Sequence, residues 1–168
     1  NSTFIGNYAN TFAGGGLYNG GGNNAVITNC TFSGNTTIKF GGGMYNRDSN
    51  PTLTNTILWG NGAEQIYDEN SSPTVTYSNI QGGYSGAGNI DTDPAFADAA
   101  AENLRLLFGS LCIDAGTNAA VPAGIVTDPD GNCRIVDGNG NGAAVVDMGA
   151  YEFDTTAFPL NVTQMRLY

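Results

Sequence analysis

Histidine is absent from the 168 residues and positive charge is scarce: 5 Lys and Arg stand against 15 Asp and Glu, a net charge of −10. Without histidine there is no imidazole base, no Ser-His or Cys-His nucleophile pair and none of the usual zinc ligand. A chain this acidic repels nucleic acid and anionic membranes, which excludes both as partners and leaves divalent cations as attractive ones. Long apolar runs are missing too, since no stretch approaches the roughly 20 residues needed to cross a bilayer. In residues 1–90 good helix formers are few and no 3.6-residue apolar stripe appears. The three cysteines, Cys30, Cys112 and Cys133, lack the C-x-x-C spacing of a zinc site. A Cys112–Cys133 disulfide with Cys30 left over suits an extracytoplasmic protein; three unpaired thiols are equally open. The chain begins with Asn and has no visible signal peptide, as expected of a mature or excised piece of something longer.

What is plentiful is glycine, at 25 residues, yet 40% of the chain is hydrophobic, enough for a core and too much for disorder. The glycines belong to a repeat. "NSTFIGN", "TNCTFSGN" and "TNTILWGN" begin at residues 1, 28 and 54, and "GGGLYN" at 14 returns as "GGGMYN" at 41. "NPTLTN" at 50 returns as "SPTVTY" at 72. Such spacings indicate stacked units. Each unit holds short β-type pieces, such as "AVIT", "CTFS" and "PTLT", bounded by Asn, Gly or Pro. Three short strands per coil, separated by bends, describe a right-handed parallel β-helix over residues 1–90, in roughly three to four coils.

The repeated phrase also predicts how the bends are made. Ile27 and Phe32 both read as core, but on one straight strand they would face opposite sides. A bend at or beside Asn29 brings both inside, and Asn tolerates the left-handed backbone such a bend needs. Gly34-Asn35 and Gly60-Asn61 mark the next corner, and asparagines stacked at successive corners can bond along the stack.

From about residue 91 the repeat stops. Residues 91–154 are expected to form a non-repeating C-terminal cap that hides the last coil, with a helical turn at Asp98–Asn103 followed by strand-like "LRLLF". Residues 155–168 read as a tail or linker. The motifs "NIDTDPAF", "LRLLFGSLCIDAG", "TDPDGNCRIVDG" and "VDMGAYEF", in this order after β-helix coils, resemble the end of the bacterial right-handed β-helix proteins of the choice-of-anchor Q type. That resemblance implies a secreted or cell-surface protein and does not settle an activity, because one fold carries lyases, adhesins and structural spikes.

The densest polar cluster is "DPDGN" with "DGNGNG" and Asp147. Asp137, Asn139 and Asn141 stand at alternate positions before Gly142, as in the first half of a calcium loop. Asp128, Asp130 and Asp147 complete a candidate Ca2+ set, although the closing acid falls one residue early. The competing reading is a pair of turns whose side chains bond their own backbone. Asp91, Asp93 and Asp114 read as carboxylates accepting backbone N–H groups, or as an acid/base pair for glycoside hydrolysis. A polysaccharide lyase would need an Arg or Lys base, but Lys39 and Arg47, the only cations on the coils, read as solvated charges without acids in register. Thr28, Thr54 and Thr76, with Thr52 and Thr74, form a rank of the ice-binding kind, interrupted by Val26. Tyr18, Tyr45 and Tyr67 recur at one place in the unit, to reinforce the coil or, if exposed, to hold sugar. The N-x-[ST] sequons at Asn1, Asn29, Asn35, Asn70 and Asn161 matter only in a glycosylating host. Together these features favour a structural or adhesive module, which associates end to end with itself or binds surface polysaccharide, over a carbohydrate-active enzyme.

Overall fold

The computed structural model describes residues 1–153 apart from Thr11 and Ala63, so the expected tail, with Asn161 and Arg166, lies outside the described residues. The described part is all-β and has no α-helix. Twelve strands make up the repeating part. They are β1 (Ser2–Ile5), β2 (Tyr8–Ala9), β3 (Leu17–Gly20), β4 (Val26–Thr28), β5 (Cys30–Ser33) and β6 (Thr36–Thr37), then β7 (Met44–Arg47), β8 (Thr52–Thr54), β9 (Ile57–Trp59), β10 (Ile66–Glu69), β11 (Thr74–Thr76) and β12 (Asn79–Ile80). They pair in parallel into sheets ordered β1-β5-β9-β12, β3-β7-β10 and β4-β8-β11, with β2-β6 as a short extra pair. The chain therefore visits three sheets in rotation and returns to the first beside its own earlier strand.

Alternation within each strand builds the interior. Phe4, Phe32, Leu58 and Ile80 project from one face of the first sheet, Leu17, Met44 and Ile66 from the second, and Ile27, Leu53 and Val75 from the third, into one apolar column. Between the third sheet and the first, Asn29, Asn55 and Tyr77 hold φ of 53°, 52° and 47°, so the left-handed bend falls where expected. Gly34 and Gly60 turn the next corner at φ 67° and 71°.

The asparagines bond along the stack. Asn35 Oδ1 accepts from the backbone N–H and the side-chain amide of Asn7 at 3.0 and 2.8 Å, and Asn61 Oδ1 accepts the same pair from Asn35 at the same distances. Gln65 Oε1 continues the ladder by accepting from Asn61 Nδ2 at 2.6 Å. Within the second sheet Asn19 donates to Asn46 and Asn46 to Asp68, from one strand to the next in register. Asn35 and Asn61 each also satisfy backbone groups beside the bend, Asn35 the Asn7 N–H and the Phe4 carbonyl, Asn61 the Asn35 N–H and the Phe32 carbonyl.

The C-terminal segment bonds the last coil through Asp91 and Thr92, which meet Gly82 and Asn79, and extends from there. Its contacts run along the outer face of the first sheet. Ala150 donates to Thr31 Oγ1 at 3.0 Å, Gly149 to the Asn55 carbonyl at 2.9 Å, and Asn79 Nδ2 lies 3.1 Å from Cys112 Sγ. Ile57, facing away from the interior column, enters a second core with Leu106, Cys112, Ile113, Met148 and Phe153. The reason is apolar area: the outer face carries Ile57, which would otherwise meet water. Within this segment β13 (Phe96–Asp98) and β14 (Asn103–Leu106) form an antiparallel pair. The expected helical turn is a single 3-10 turn, Ala99–Ala101, capped by Asp98.

Candidate functional site

The six residues proposed for Ca2+ divide between two places. Asp137 lies in an exposed turn, where one carboxylate oxygen accepts from Gly140 and Asn141 at 2.8 and 3.0 Å and the other from Gly142 at 2.8 Å. Asn139 and Asn141 bond the next backbone N–H groups in the same way. Asp114 ties the turn down through Gly138 and Asn139. This is the backbone-bonded turn weighed against the calcium loop. Asp130 is drawn off by Arg105, which grips it with Nε and Nη2, both at 2.6 Å; that bond raises the Arg105 pKa. Among the described residues, no group of three or more His, Cys, Asp or Glu is arranged to hold a metal ion.

Asp128 and Asp147 belong to a buried charge cluster centred on two residues the sequence reading missed. Arg134, 1% exposed, lies 3.2 Å from Glu152 and donates to the carbonyls of Gly149 and Ala150 at 2.6 and 2.7 Å. Asp147 accepts from the backbone of Asp114 and Phe153 at 2.7 and 2.6 Å, and Asp128 from that of Glu152 at 3.0 Å. Burial pushes the Asp147 carboxyl up to about 7, against the pull of its two N–H donors. Burial, then the Asp147 charge, raises Glu152, while Arg134 opposes. Desolvation also lowers the Arg134 pKa. One guanidinium does not offset the desolvation of these buried carboxyls, so both Asp147 and Glu152 hold their protons more tightly than an ordinary carboxylate. The sign in the sequence was Arg134 in "NCRIV", the lone cation of that stretch, with Glu152 in "AYEF".

The other candidates are scattered. Asp91 accepts from Gly82 and Asp93 from Ala95, so these acids and Asp114 serve different backbone groups. The cysteines are unpaired, with Cys30 and Cys112 buried and Cys133 exposed, so the Cys112–Cys133 disulfide is not formed. Burial raises the Cys112 thiol to about 11. Arg47 departs from its expected isolation. Glu69 is its partner in register, with the ion pair at 3.7 Å.

The threonine rank is in register, with Val26 opposite Thr52 as expected, but Thr54 is buried. Tyr18, Tyr45 and Tyr67 stack with centroids 5.4 and 5.6 Å apart, Phe40 stacks on Tyr67 at 4.5 Å, and Phe12 meets Tyr45 edge-on. Lys39 covers the Phe12 ring at 5.0 Å. The ring faces are thus largely spent on one another, which is the reinforcing arrangement. Tyr45 also bonds Glu69, which with burial raises its hydroxyl to about 12.

An open cleft with a volume of about 450 Å3 lies at the last circuit, between β10 and β12. Ile66, Ile80 and Tyr84 supply apolar wall, and Glu64, Gln65 and Gln81 supply polar groups. Gln65 spans from the asparagine ladder to Gln81 Oε1 at 3.3 Å. Tyr84 donates to Asp68 at 2.8 Å, and burial with that bond raises its pKa. Nothing in the sequence singled this cleft out. Ile80 and Gln65 are buried, Ile66 and Tyr84 half-buried, and Glu64 and Gln81 exposed.

No helix among the described residues is long and apolar enough to cross a membrane. Comparison of the chain with protein-family models, with curated proteins and with solved structures finds no match.

Proposed function

We propose that the chain is part of a secreted or surface-displayed right-handed parallel β-helix of the choice-of-anchor Q type, with a structural or adhesive role. The observation that carries the role is how the acids are used. Asp91, Asp93, Asp114, Asp137 and Asp147 each hold backbone N–H groups, and these bonds tie loops down rather than line one reaction cleft. General acid–base hydrolysis needs two carboxyl groups flanking one bond. What supports the winding is the rotation of the chain through three parallel sheets with left-handed corners at equivalent positions. β3 and β4 are edge strands, and their unpaired peptide groups suit end-to-end association with a second copy.

The test is incubation with neutral and acidic polysaccharides, followed by analysis of chain length and unsaturated products. Unchanged substrate together with retention of protein on an immobilised polysaccharide is expected, and reproducible shortening would overturn the assignment. Sedimentation across a concentration series tests association, where a single monomeric species throughout counts against stacking. The rival reading of the 128–147 region, as a Ca2+ site, is separated from a backbone-bonded turn by the EDTA comparison below.

A further inference from the structure

From the cleft beside Gln81 we infer a binding site for one or two pyranose units of a neutral saccharide. The inference rests on the surface-module reading and supplies its ligand class. The volume of about 450 Å3 falls within the range of small-molecule sites.

Chemistry narrows the occupant. No Lys or Arg lines the cleft, and Glu64 stands at its edge, so phosphate, sulfate and uronate groups meet repulsion without compensation. The backbone N–H groups of Gly82 and Gly83 are already committed, to Asp91 and to the Ile80 carbonyl, so no nest of free N–H groups remains for an anion. The half-buried Ile66 and Tyr84, packed with the buried Ile80, form an apolar wall suited to the C–H face of a sugar ring.

Polar capacity remains beside that wall. Gln81 Oε1 is occupied by Gly60 N–H at 2.8 Å and by Gln65 Nε2, which leaves the Gln81 amide hydrogens without a partner among the described residues. Glu64 accepts from Gly41 N–H at 3.4 Å through one oxygen, and the other has no partner among the described residues. A free donor and a free acceptor against an apolar strip match adjacent hydroxyls on a ring whose face is hydrocarbon. The Gln65–Asn61 bonds on the ladder side hold the floor rigid, which reduces the ordering cost of binding.

The experiment titrates the 168-residue chain with cellobiose, maltose, N,N′-diacetylchitobiose and digalacturonate, following assigned amide resonances by NMR. Shifts confined to residues around Gln65, Gln81, Gly82 and Gly83, with at least one neutral disaccharide and not with digalacturonate, are expected. Glu64→Gln and Gln81→Ala should each weaken that binding at least about fivefold while preserving the folded spectrum. Glu64 is exposed, so its variant remains informative even if loss of the Gly60 contact perturbs the other. Preferential binding of digalacturonate, no response to any neutral probe, or shifts mapping elsewhere on the surface would each overturn the site. Shifts elsewhere would leave the adhesive reading intact. Cleavage of a probe bound in the cleft would keep the site and overturn the non-catalytic reading.

Discussion

Asn55 Nδ2 donates to Asn29 Oδ1 at 3.0 Å, one circuit away in the stack, and both residues hold the same left-handed backbone. Both are fully buried. The Asn55 side chain also exchanges two bonds with the backbone of Thr117, joining a corner of the repeat to the C-terminal segment. One side chain thus turns the chain, pairs two circuits and docks the covering layer.

The ladder asparagines should be among the least replaceable polar residues. Asn35→Ala leaves the Asn7 N–H and the Phe4 carbonyl without their partners, and is expected to cost about 2–3 kcal/mol. Asn23→Ala, which removes one exposed bond to Gly20, should stay within about 0.5 kcal/mol. Urea unfolding of both variants checks the contrast.

Two glycines separate crowding from backbone preference. A methyl group on Gly42 would fall on the carbonyl of Gly62, so Gly42→Ala is expected to abolish soluble folded protein. Gly21 has φ of 71° and open space around its missing side chain, so Gly21→Ala should cost only about 1 kcal/mol. Expression yield and thermal melting read out the difference.

The Arg134 cluster predicts a pH dependence. Asp147 and Glu152 have folded pKa values above those of the unfolded chain, so the folded state retains protons the unfolded chain releases. That contribution is complete below the ordinary carboxylate range and is lost as pH rises, through about 7 for Asp147. The melting temperature should fall between mildly acidic and mildly alkaline buffer. Asp147→Asn should flatten the decline, and an unchanged slope would reject this source.

Thiol labelling should be sequential. Cys133 is exposed and should react with a thiol reagent in the native protein, whereas Cys30 and Cys112 are buried, and Cys112 has a raised pKa. One rapid equivalent in buffer and three in denaturant are expected. Fewer than three in denaturant would reveal a disulfide after all.

The 137–142 turn separates ion from backbone. Asp137→Ala removes three N–H contacts and should lower the melting temperature equally in EDTA and in calcium. A wild-type midpoint that rises on adding calcium, with no such rise in the variant, would instead establish a bound ion.

Local rules of the chain determined the repeating part by themselves. Apolar alternation placed Ile27 and Phe32 inside, and the need for a left-handed residue placed the bend at or beside Asn29, which the repeat carries to Asn55. These depend on near neighbours and on a period, both of which are written in order along a sequence. Tertiary structure alone decided the rest. Ile57 and Leu58 are consecutive apolar residues on one strand, so both faces of that sheet need cover, but which segment supplies it depends on contacts over a hundred residues away, such as Ala150 with Thr31. The same holds for Arg134, whose charge is balanced only where the chain folds Glu152 and Asp147 around it. The cleft beside Gln81 likewise depends on how Tyr84 packs against the end of the column beside β10 and β12, a matter of packing rather than composition.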